Sequence, residues 1–71
     1  MEVRQRLALN IKRLRVAGGV SQEELADRSG LHRTYISGVE RGVRNPTVVV
    51  LDKIAVGLGV PIGALLADVP R

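Results

Sequence analysis

The sequence predicts an all-α domain of five short helices, on three observations. Apolar residues recur three and four apart, with no stretch of strict alternation, which is the pattern of helices and not of strands. Glycines and prolines fall between the periodic segments, at Gly18-Gly19, Gly30, Gly42, Pro46, Gly59 and Pro61. Hydrophobic residues make up 45% of the chain but aromatics only 1%, so the core is aliphatic and suited to close helix packing. With 71 residues the chain is expected to form one domain, 1–71, near the lower size limit for a core without staples.

The first helix, about residues 2–17, carries Val3, Leu7, Ile11 and Leu14 on one face, while Arg4, Arg6, Lys12, Arg13 and Arg15 point elsewhere. Ser21-Gln22-Glu23-Glu24 then announces a second. A serine hydroxyl there accepts from the N–H of Glu24, and the Glu24 carboxylate reaches back to the serine N–H, a capping box with Val20 before it as a staple. This helix turns Leu25 and Ala26 inward and ends at Gly30, too short to stand without neighbours. The third lies within "HRTYISGVERG", residues 32–42; Ile36 and Val39 mark its buried side and leave Arg33, Thr34, Ser37 and Arg41 around the outside. His32, at its start, is a weak substitute for the usual N-cap residues. Beyond the loop "VRNPT", Thr47 caps a fourth helix running to about Leu58, with Val48, Leu51, Ile54, Ala55 and Leu58 as its inner stripe. Pro61 starts a short fifth, to about Ala67, carrying Ile62, Leu65 and Leu66.

These residues also bound the function. The chain has no cysteine and a lone histidine, so neither a disulfide framework nor a zinc cage can be built, and no metal or cofactor is expected. Seven acidic residues without a second histidine, a serine-histidine pair or a phosphate-binding loop leave enzyme chemistry without candidates. No apolar run approaches a membrane span and the first residues lack a signal-peptide pattern, so a cytoplasmic location is expected. Eleven Lys and Arg against seven Asp and Glu give a net charge of +4. That balance favours a polyanionic partner. Ten of the eleven cations lie at or before Lys53 and place the basic face in that part of the chain.

Two short helices meeting at Gly30, with small Ala26 facing the second, satisfy the steric needs of a helix-turn-helix: close approach, then a sharp turn at positive φ. "SQEELADRSGLHRTYISGVERGVRNPT" resembles the Cro and C1-type phage-repressor (Xre) helix-turn-helix family. Within it, "RTYISGVERGVRN" is especially similar to the controller proteins of restriction-modification systems, and the match extends from "NIKRLR" to "LGVPIGALL". The resemblance implies a five-helix, phage-repressor-like domain, its helix-turn-helix at about 21–41, that binds double-stranded DNA as a two-fold dimer with the third helix in the major groove. On that basis Arg33 and Thr34 face base edges with Tyr35 and Ser37 beside them, while Gln22, Arg41, Arg44, Asn45 and Thr47 meet phosphates. Arg15 and Glu40 match the positions of an internal ion pair. The chain departs from its relatives at Val49, Val50, Val56, Gly63 and Ala64, outward positions that they commonly fill with polar residues.

Such an apolar outer face is expected to be covered by a second copy. The expected homodimer uses the region about 60–69, chiefly Ile62, Leu65, Leu66 and Val69. An alternative reading makes the same face the seat of a different protein, the chain being an antitoxin or adaptor. A chain ending at Arg71 is expected to carry no sensing domain and to need no small-molecule effector. Gly38 leaves a question, since alanine suits a helix interior better by about 1 kcal/mol. Its bare backbone either lets the third helix settle deeper into a groove or relieves crowding within the fold.

Overall fold

In the computed structural model, which describes residues 1–69, the chain forms α1 (Val3–Ala17), α2 (Gln22–Ser29), α3 (Arg33–Glu40), α4 (Val48–Leu58) and α5 (Gly63–Leu66). Pro70 and Arg71, the last two residues of the predicted domain 1–71, lie outside the described residues. Capping chemistry fixes the starts of α1, α2 and α4. Glu2 caps α1, its carboxylate accepting from the Arg4 N–H, and that bond holds the Glu2 carboxyl below the usual range. The box at α2 is complete, with the Glu24 N–H donating to Ser21 Oγ at 3.0 Å and the Ser21 N–H to Glu24 Oε1 at 3.4 Å. Thr47 caps α4, its hydroxyl oxygen accepting from the Val50 N–H at 3.2 Å.

Packing then makes one core from short pieces. α2 lies against α3 and α4, and α1 against α3 and α5. Between them Ile11, Leu25, Ile36, Ile54 and Leu65 are completely buried, each contributing about 1.5–3 kcal/mol of apolar transfer. α2 and α4 approach closely because Gly57 has no side chain. A Cβ there would lie 3.1 Å from Leu25 Cδ1 and 3.4 Å from Arg28 Cβ.

The fully buried polar side chain of Asn10 joins the chain's two ends. Its Nδ2 donates to the carbonyls of Leu65 at 3.0 Å and Ala67 at 2.7 Å, and its Oδ1 accepts from Arg13. These bonds hold the end of the fifth helix, expected from Pro61 to about Ala67 and found one or two residues shorter at each end. Only Gly63–Leu66 is α-helical, and Ala67 is already extended, its carbonyl taken by Asn10 and not by a further turn.

Four inward or outward assignments are corrected. Leu65, expected at a dimer interface, is wholly buried within its own domain and has no surface to offer a partner. Val48, placed on the inner stripe of α4, is exposed because it starts the helix at the margin of that stripe; Val3 is likewise exposed at the start of α1. Val50, counted as outward, packs half-buried against the core.

Candidate nucleic-acid interface

The turn between α2 and α3 decides which residues the domain presents. Gly30 has φ of 68°, the left-handed conformation that costs a residue with a Cβ most. The chain reverses there, the Leu31 N–H donates to the Ala26 carbonyl at 2.9 Å, and the Leu31 side chain packs back on the core. Arg33 and Thr34 follow in the first turn of α3, both exposed, with Tyr35 and Ser37 half-buried beside them. His32 occupies the N-cap position without a side-chain capping bond.

The other end of α3 is locked. Arg15 Nε donates to Glu40 Oε2 at 2.6 Å and Arg15 Nη2 to Glu40 Oε1 at 2.9 Å, a two-pronged pair, and Arg15 Nη1 reaches the Val20 carbonyl at 3.0 Å. The Glu40 bond raises the Arg15 pKa above its ordinary value, outweighing the opposing effect of burial. Gln22, expected at a phosphate, directs its amide inward, Nε2 donating to Glu40 Oε1 at 3.1 Å. One carboxylate therefore ties α1, α2 and α3 together. That network fixes the angle at which the exposed turn of α3 is held.

The consequence is electrostatic as well. Residues 31–51 contain Arg33, Arg41 and Arg44 and a single acid, Glu40, whose side chain is 4% exposed and already paired. Among the described residues none of the three arginines has a salt-bridge partner. Arg41, Arg44, Asn45 and Thr47 are all exposed along the loop that follows α3. This exposed cationic stretch carries no ion pair among the described residues.

Arg44 is not extended into solvent. It folds back on α3, its guanidinium carbon 5.5 Å from the centroid of the Tyr35 ring, within cation–π range. Its stem runs over Gly38: a Cβ on that residue would sit 2.9 Å from Arg44 Cγ and 3.1 Å from Arg44 Nε. The bare backbone thus receives an arginine from the following loop. Neither this contact nor the role of Asn10 has a sequence signal of its own, since each depends on where a distant segment returns. A polar residue on the apolar stripe beside Ile11 was the one available hint for Asn10.

The family model described as Helix-turn-helix (HTH_3) matches residues 11–65. Control protein C.SmaI of Serratia marcescens is 44% identical over 66 residues, covering 93% of this chain and 79% of its own length. The hypothetical transcription factor NHTF from Neisseria has a crystal structure that superposes with a TM-score of 0.91 at 45% identity, over 94% of this chain and 77% of that one. The restriction-modification controller protein C.AhdI from Aeromonas hydrophila superposes with a TM-score of 0.85 at 42% identity, over 87% and 94%.

Proposed function

The chain belongs to the helix-turn-helix family of DNA-binding transcriptional regulators, and from that premise we propose that it is a restriction-modification controller reading a near-palindromic operator as a homodimer. The observation that carries the reading is the exposed first turn of α3, with Arg33 and Thr34 set beside a ridge of unpaired arginines. In the major groove Arg33 offers two donors to guanine O6 and N7, a contact worth about 1–3 kcal/mol of discrimination. Thr34 presents a hydroxyl and a methyl to the neighbouring base, and Tyr35 and Ser37 flank them.

Arg41, Arg44, Asn45 and Thr47 hold the backbone on one side of the groove, and the start of α2 at Gln22 holds it on the other through its positive helix end. These contacts set register and affinity, while the first turn of α3 sets sequence. Two copies pair through the exposed or half-buried residues of the C-terminal region, Ile62, Leu66 and Val69, with Val49 and Val56 at the margin. The half-sites then lie about 10 bp apart. Binding of a labelled duplex from upstream of the protein's own gene tests this reading through its salt dependence. Affinity is expected to fall by roughly 10³ or more between 50 and 200 mM salt if about six phosphates are contacted. A flat response overturns it.

A further inference from the structure

We propose that Gly38 is a positioning residue for Arg44: its missing side chain is the channel through which Arg44 crosses α3 and joins the DNA-facing surface. The proposal rests on the DNA-binding reading given above and deepens it by assigning a role to a residue that touches no nucleic acid itself. All three atoms that a Cβ at Gly38 would approach most closely belong to Arg44, namely Cγ at 2.9 Å, Nε at 3.1 Å and Cδ at 3.6 Å. The first atoms a side chain at this position would meet are therefore those of the Arg44 stem.

Arg44 arrives from the loop after α3, four residues beyond Glu40 and three before the Thr47 cap. With the Gly38 channel open, its stem lies along the helix and its guanidinium stacks at 5.5 Å over Tyr35, the one Phe, Trp or Tyr side chain in the sequence. That ring is itself adjacent to Thr34. Arg44 is thereby converted from a loop cation with many rotamers into one held against the reading helix, and less ordering remains to be done when DNA arrives. A methyl at position 38 would stand 2.9 Å from Cγ of the stem, so the stem has to shift, and its stacking on the ring is expected to be lost. The helix itself loses nothing, because alanine is the better residue for a helix interior.

The test compares wild type, Gly38→Ala, Arg44→Ala and the double variant, with one readout in the free protein and one on DNA. In the free protein, NMR signals of the Arg44 side chain are expected to be shifted upfield by the Tyr35 ring and to return to ordinary values in Gly38→Ala. On the upstream duplex, Gly38→Ala and Arg44→Ala are each expected to weaken binding about tenfold and make the salt slope shallower by about 1. The double variant should be no weaker than Arg44→Ala alone.

Retention of the upfield shift in Gly38→Ala overturns the proposal. So does an alanine effect of equal size with and without Arg44, which would mean that the bare backbone clears the DNA instead. Should Gly38→Ala lower the melting temperature, removal of Arg44 must restore it; a double variant that remains destabilised also overturns the assignment. A wild-type chain that fails to bind the duplex contradicts the DNA reading, whereas the ring shift judges Gly38 and Arg44 without DNA.

Discussion

Glu40 accepts from Arg15 twice and from Gln22 once while only 4% exposed. Glu40→Ala leaves a guanidinium and an amide without their acceptor, and urea denaturation is expected to show a loss of about 2–4 kcal/mol. Arg15, at 13% exposed, retains some access to water when its partner is removed, which keeps the figure below that of a fully buried pair. The pairing of Arg15 with Glu40 was legible through the family resemblance of the residues around them. The direction of Gln22 was not, because a glutamine in the first turn of a helix can reach outward to an anion or back to a neighbouring helix with the same backbone. Gly38 was legible as an anomaly only. Its explanation lies in the path of Arg44, which no periodicity encodes.

At the scale of elements, spacing and caps placed four helices to within a residue or two, because Ser21, Thr47 and the glycines that follow each helix act locally. The fifth, expected from Pro61 to about Ala67 and found at Gly63–Leu66, is likewise within two residues at each end. What the spacing did not show is its anchor, Asn10, more than fifty residues away in sequence, whose amide donates to the Leu65 and Ala67 carbonyls. Asn10→Ala is expected to cost about 1–3 kcal/mol in thermal or urea unfolding, since it strips a hydrogen bond from the buried Leu65 carbonyl and another from the part-buried Ala67 carbonyl. Amide exchange in Ala64 and Leu65 should accelerate by more than that in α2. The contact of α2 with α4 makes a second prediction. Gly57→Val forces two methyls and a Cβ into a space bounded by Leu25 at 3.1 Å, and a loss of about 1–3 kcal/mol is expected in the same measurement. No relief is available from Leu25, which is itself fully buried.

For the whole molecule, the proposed homodimer draws on the apolar surface that the monomer leaves exposed. Val48, Val49 and Val56 are 73%, 66% and 69% exposed, and Leu66 41%, a concentration of bare aliphatic surface on so small a domain. Sedimentation equilibrium at tens of micromolar is expected to give twice the chain mass, and Leu66→Lys to return it to the monomer without unfolding. A monomeric wild type would contradict the dimer, and a stoichiometric foreign chain would make this face the seat of another protein. Sequence choice is assigned to the first turn of α3, and selection of bound sequences from a random DNA pool measures it. Wild type is expected to enrich a near-palindrome containing a guanine in each half-site, and Arg33→Ala to lose preference at that base while keeping salt-sensitive binding. An identical enriched motif from both proteins would contradict the assignment of sequence reading to the first turn of α3.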